Sequence, residues 1–278
     1  MATERGMGRM SKHARGAVSG GVFRGAFGGA SGGAFRGAID AERIRLAASR
    51  STWCCLGVAV ALALGSALLA ARVPESEGKP VTVADSVAGL SIGEMVILVV
   101  AALSVTGEYK YRTVRLAYQA IPVRRPFIAA KALLLAATGG VLAVCLALAS
   151  FGVTALTAAP PVPRPDTAGE WVVLLGTGVT WSFAAVVGVS VGTLVRNGAG
   201  ATSALLIWAM VGESGLGLVP RVGGFLAGWS PFTAVGALTN PDAGSRVPYG
   251  SAGAVVYALL VAGGLLALAL LAAVRRDP

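Results

Sequence analysis

The sequence predicts an all-α integral membrane protein with six transmembrane helices, and three observations carry that prediction. Hydrophobic residues make up 55% of the 278 and charged ones only 13%, against about 25% charged in soluble domains. The apolar residues gather into six runs, each near the roughly 20 residues a helix needs to cross a bilayer. The basic residues gather on one side of those runs, which gives the runs an orientation. The mean hydropathy of +0.73 agrees. Arg far outnumbers Lys, and Ala, Gly and Val dominate, a composition like that of chains from high-GC bacterial genomes.

Residues 1–38 are Gly, Ala, Ser and Arg, with Phe23-Arg24-Gly25-Ala26 returning as Phe35-Arg36-Gly37-Ala38. No apolar period is sustained there, so a disordered cytoplasmic tail is expected. The first apolar run starts only near residue 53, after this long polar lead. It reads as a retained anchor, not a signal peptide.

The membrane domain is expected over 39–278. Asp40 fits an N-cap, with Ile39 and Ile44 placed for a hydrophobic staple. A short interfacial helix should follow, carrying Arg43, Arg45 and Arg50. It leads to Trp53, an aromatic anchor at the mouth of the first span. The spans are placed at about 53–71, 88–106, 127–157, 171–195, 201–219 and 252–274. The third is long enough to tilt or to project beyond the bilayer. The fourth carries Ala184, Gly188 and Gly192 at four-residue spacing, a small-residue face that lets another helix approach closely, within one subunit or between two.

With the N-terminus inside, the inner segments hold 18 of the 23 basic residues and the outer segments five. Both termini are therefore expected in the cytoplasm. The outer loops 72–87 and 158–170 contain proline. The third, 220–251, includes the apolar stretch Val222–Leu238, broken by Gly and by Pro231. Too broken to span, it is a candidate re-entrant segment, tolerable in the outer leaflet only if protein covers its backbone.

One inner loop is substantial. Gly107 to Lys131 reads GEYKYRTVRLAYQAIPVRRPFIAAK. Plotted as a helix, Tyr111, Val114, Tyr118 and Ile121 share one face, and Glu108, Arg112, Arg115 and Gln119 share the other. Glu108 precedes Arg112 at the favourable acid-before-base spacing. Pro122 stops the helix, having no N–H to continue it. Such a helix lies on a membrane surface and offers its charged face to something outside the bilayer.

Two carboxylates fall inside spans, Glu94 and Glu213. Near the bilayer centre each costs roughly 2.5–3.5 kcal/mol, so it should be paired, hydrogen-bonded or functional. Each stands about six residues from the outer end of its span, roughly 9 Å deep at 1.5 Å per residue. They should share a layer, with Arg72 or Arg221 as partners by snorkelling. Satisfied packing carboxylates and a polar patch on a transport path both fit.

Other chemistry is poorly represented. Cys54, Cys55 and Cys145 sit in apolar runs without a CxxC or a metal-like spacing. His13, the only histidine, lies in the polar tail, which removes most zinc and His-based acid–base sites. There is no G-x-x-x-x-G-K-[ST] loop, so no P-loop ATP site, and no H-E-x-x-H. Neither catalytic residues nor a metal is expected in this chain.

The motif order resembles a family. Gly107-Glu108-Tyr109, then Thr113, Arg115, Pro122, Arg125 and Lys131, resemble the loop between the second and third spans of type 2 ATP-binding-cassette (ABC) exporter permeases. Arg50-Ser51-Thr52-Trp53 is similar to the entry to that family's first span. Trp208 to Thr239, with Glu213, Pro220, Val222-Gly223, Pro231-Phe232 and Ala237-Leu238-Thr239, resembles its fifth-span and outer-segment pattern. The likeness covers about residues 40–276. Lys110-Tyr111-Arg112 departs from it, since members often have a small residue just before the Thr.

The resemblance implies a bacterial plasma-membrane permease subunit, homo- or heterodimeric, with the pathway formed by two permeases. ATP and Mg would be bound by a separate ATPase partner. It implies that Glu108, Tyr109, Arg112, Thr113, Arg115, Gln119, Pro122, Arg125 and Lys131 form a coupling helix and its flanks, seated on that ATPase, with the N-terminal helix alongside. No nucleic acid is expected as a partner. Two other readings stay open: a stand-alone carrier built on Glu94 and Glu213, and a non-transporting membrane partner or immunity factor.

Overall fold

The computed structural model describes residues 44, 50–72, 81–110, 124–158, 160, 162–240 and 247–275. The tail at 1–38, Asp40, Arg43 and Arg45 fall outside this range, as do Arg112, Thr113, Arg115, Gln119 and Pro122. So do the side chains of Arg50 and Arg125, whose helices are described.

Among the described residues all regular structure is helical, and five helices are long and apolar enough to cross a membrane. They are α1 (Arg50–Ala70), α3 (Leu90–Lys110), α4 (Arg124–Thr157), α5 (Ala168–Val195) and α10 (Gly250–Arg275). A five-residue helix, α2 (Val83–Val87), precedes α3 and is closed by a reciprocal capping box between Thr82 and Asp85. Thr167 and Glu170 cap α5 in the same way. Large apolar side chains such as Leu69, Leu133, Val141, Leu259 and Leu260 stand exposed along the outside of the bundle. A lipid solvent accommodates such a surface and water does not.

The expected fifth span, 201–219, takes a different form. It breaks into α6 (Gly198–Ile207), a π-helical turn (Trp208–Gly212) and α7 (Glu213–Leu216), after which the chain turns. The backbone stays in the right-handed helical region at both junctions, Ile207 and Glu213. The chain therefore stays helical through the interruption, which is a widened turn. Two further short helices come next, α8 (Gly223–Gly228) and α9 (Pro231–Gly236), in the apolar stretch broken by Gly and Pro.

Helix α5 is the hub, with 67% of its most apolar window buried. It packs mainly on α4, α3 and α10. Small residues make this possible. A Cβ on Gly188 would come within 2.5 Å of the Leu98 carbonyl oxygen, and one on Gly192 within 2.8 Å of the Ala102 carbonyl oxygen. Ala184, fully buried, packs in the same cluster as Leu98 and Ala102. The predicted small-residue face is thus spent inside the subunit, against α3. Helices α4 and α5 approach as closely where Gly140 faces Gly178.

On α1, Ala59, Ala63 and Ala67 form a buried stripe. The hydroxyls of Ser150 and Thr154 on α4 donate to the carbonyls of Ala63 (3.2 Å) and Ala67 (3.3 Å). Hydrogen bonds between spans of this kind contribute about 0.6–2 kcal/mol each.

Gly188→Leu should therefore lower stability by about 1–3 kcal/mol or more, because the obstacle is backbone and cannot rotate away. Gly57→Leu on α1, where a Cβ meets nothing within 4 Å, is the control. Thermal unfolding in detergent compares the two, and equal midpoints would contradict the close approach.

Candidate functional site

Polar chemistry is concentrated at two places. The first joins the ends of α3 and α4, on either side of the basic loop. Helix α3 runs on through Gly107 to Lys110, so Glu108 and Tyr109 belong to the last turn of a span and not to a separate surface helix. The Lys131 ammonium, 2% exposed, lies 2.6 Å from the Glu108 carboxylate, which is 12% exposed. It also donates to the Ser104 carbonyl at 3.1 Å and sits 5.6 Å from the centre of the Phe127 ring. The Arg196 guanidinium, at the left-handed C-cap of α5, lies over the Tyr109 ring at 5.1 Å. Two of the residues assigned to docking, Glu108 and Lys131, therefore face each other. Their pairing clamps the two ends of the loop between Lys110 and Arg124, and Arg196 braces the α3 end.

Asn197 caps α6 immediately after Arg196, accepting from the Gly200 N–H. The α5–α6 connection at this end is correspondingly tight.

The second place holds the two carboxylates expected inside spans, Glu94 and Glu213. Glu213 is 3% exposed and accepts three hydrogen bonds. The donors are the backbone N–H of Phe232 (2.8 Å), the N–H of Thr233 (2.6 Å) and the Thr233 hydroxyl (2.9 Å). These N–H groups open α9. Its N-cap, Ser230, has no capping side-chain bond, because its hydroxyl donates back to Leu226. Glu213 thus caps α9 from another part of the chain.

Arg72 and Arg221 are exposed and pair with neither carboxylate. The snorkelling partners expected for Glu213 are replaced by main-chain amides, which are already inside and need no long side chain.

Glu94, 9% exposed, has no hydrogen-bond partner among the described residues.

The segment capped by Glu213 is well covered. Phe232 meets Phe183 of α5 edge to face, with ring centres 5.4 Å apart. Ala234, Val235 and Leu238 are buried. Trp229, just before α9, meets Tyr249 (5.3 Å) and Tyr257 (6.0 Å) edge to face. The two tyrosine hydroxyls donate to the Gly228 and Trp229 carbonyls. Sequence reasoning missed this aromatic brace; its signal was the Trp, Tyr and Phe content flanking a Gly/Pro-broken stretch.

No group of three or more metal-ligating side chains occurs among the described residues. No known family, curated protein or solved structure matches the chain.

Proposed function

We propose that this chain is the membrane permease subunit of an exporter of the type 2 ABC kind, working as a dimer with a separate ATPase. The observation that carries the reading is the clamped basic loop. A segment carrying Lys110, Arg112, Arg115, Arg124 and Arg125 joins two helices locked by the Glu108–Lys131 pair. A push on such a loop is transmitted to α3 and α4 instead of being lost in a slack linker. The chain carries no P-loop of its own, so the push would come from another protein.

In this reading Gly198–Leu216 is the fifth of six spans. At 1.5 Å per residue its helical path is about 28 Å long, close to the hydrocarbon thickness. Helices α8 and α9 are then a re-entrant outer segment, tied to that span by Glu213. The bacterial plasma membrane, with both termini inside, is the location that the charge distribution supports.

The test reverses the loop. Arg112→Glu with Arg115→Glu should abolish co-purification of the ATPase and ATP-dependent transport, with thermal unfolding of the spans unchanged. Retained ATPase binding and transport would sink the docking assignment.

A second reading is favoured by the two buried carboxylates Glu94 and Glu213: a stand-alone carrier driven by an ion gradient. Transport by the purified chain alone in vesicles with an imposed pH gradient, lost in Glu94→Gln, would select it over the first.

A further inference from the structure

Between α1, α3, α4 and α5 lies a cleft of about 340 Å³, within the roughly 300–1,000 Å³ range of small-ligand sites. Its wall includes Trp53 and Leu56 of α1, Val96 and Val100 of α3, Leu142 of α4 and Trp181 of α5. It touches neither carboxylate of the outer site nor the Glu108–Lys131 clamp.

Two polar groups in this wall are already occupied. The Thr138 hydroxyl donates to the Leu134 carbonyl at 2.7 Å. The Trp181 indole N–H donates to the Leu90 carbonyl at 3.1 Å. The remaining wall is almost entirely apolar. An apolar cavity of this kind does not hold water well and takes apolar guests.

Residue choice shapes the cleft. A Cβ on Gly93 would come within 2.3 Å of the Trp181 ring. Glycine at that position is what lets the indole lie flat in the wall. On α4, a Cβ on Gly139 would press on Ile97 at 3.3 Å.

The surroundings select the occupant. All four helices are long and apolar enough to span a membrane, so the medium beside the cleft is the hydrocarbon core. Trp53, 60% exposed, stands at one end of it. An apolar slot between spanning helices, with a tryptophan at one end, complements a lipid acyl chain lying along the bundle.

We infer that this cleft binds one acyl chain of a bilayer phospholipid as a specific site, distinct from the lipid surrounding the bundle. The inference stands whether or not the chain works with an ATPase.

Trp181 supplies the readout. It is 2% exposed, so chains running past the outside of the bundle do not touch it. Replacing Trp53, Trp171, Trp208 and Trp229 by Phe leaves it the only one of the five tryptophans. The full chain is reconstituted in phosphatidylcholine vesicles, and in the same lipid brominated at mid-chain. Bulk lipid saturates the site, so Trp181 emission should fall roughly twofold or more in the brominated vesicles.

Val96→Phe, which fills the slot, should restore the emission. If the four-fold replacement does not fold, the same quantity is read as the quenching lost between the natural chain and Trp181→Phe. Equal emission in the two lipids, or quenching that Val96→Phe leaves intact, overturns the site. Quenching that disappears at high protein-to-lipid ratio overturns it too, since a second copy of the chain would then be the occupant.

Discussion

Glu108→Ala is expected to destabilise the folded protein by about 3–5 kcal/mol, because it takes a close carboxylate partner from a buried ammonium. The order of effects comes from exposure. Lys131 is 2% exposed and Glu108 12%. Removing the carboxylate leaves the more deeply buried charge behind, with the Ser104 carbonyl and the Phe127 ring beside it. Removing the ammonium by Lys131→Met leaves a carboxylate that can still reach solvent, so this single change should cost less. The double variant Glu108→Leu with Lys131→Met removes both charges and should recover most of the loss, since a buried ion pair is often matched by apolar side chains of similar size. Chemical or thermal unfolding in detergent gives all four corners of the cycle. If the double variant is as unstable as the two singles added together, the pair is not coupled as the geometry implies. The cycle also separates stability from coupling. A double variant that folds well but transports poorly would mean that the ionic clamp matters for transmitting force.

Much of the fold is legible in the sequence because hydropathy and helical period are local properties. They place α1, α3, α4, α5 and α10 within a few residues of their observed bounds. The fifth apolar run is legible as apolar but not as interrupted. Its π turn, Trp208–Gly212, has no local sign beyond Gly212. The reason for the turn is tertiary: just after it, Glu213 meets the start of α9. The face carrying Ala184, Gly188 and Gly192 is visible from spacing, but its partner, Leu98–Ala102, is not. The Glu108–Lys131 contact is hidden for a related reason. Gly107 suggests that α3 ends there, whereas a Cβ on Gly107 would meet nothing within 4 Å and the helix passes through it. That continuation brings Glu108 onto the bundle and within reach of a lysine 23 residues later. The depth shared by Glu94 and Glu213 can be counted along two helices. Backbone donors from α9 cannot, because nothing in sequence marks which amides a distant carboxylate will cap.

The same three bonds make Glu213 the other sensitive position. Glu213→Ala removes the acceptor of two backbone N–H groups and one hydroxyl at the start of α9. Hydrogen bonds to a charged group contribute about 1.5–3 kcal/mol each, and a stranded buried donor costs about 1–3 kcal/mol. The losses overlap, because α9 can shift to find other partners, so the net change should be about 3–5 kcal/mol. Glu213→Gln keeps one acceptor oxygen but turns an amide N–H₂ toward donors, so it should fall between Ala and the natural residue. Glu94→Gln should go the other way. It gives up no hydrogen bond among the described residues, so stability should hold. Unfolding midpoints of the three variants, with protease sensitivity of the 220–240 segment as a local reporter, test this order. If Glu213→Gln matches Glu213→Ala, charge and not acceptor count dominates. If Glu94→Gln is the most damaging of the three, Glu94 has a partner in the assembled membrane protein. In the exporter reading the consequence is mechanical: Glu213 joins the helical path from Gly198 to the outer segment at Pro231, so losing that joint should release α9 while leaving the loop at the other end of α3 intact.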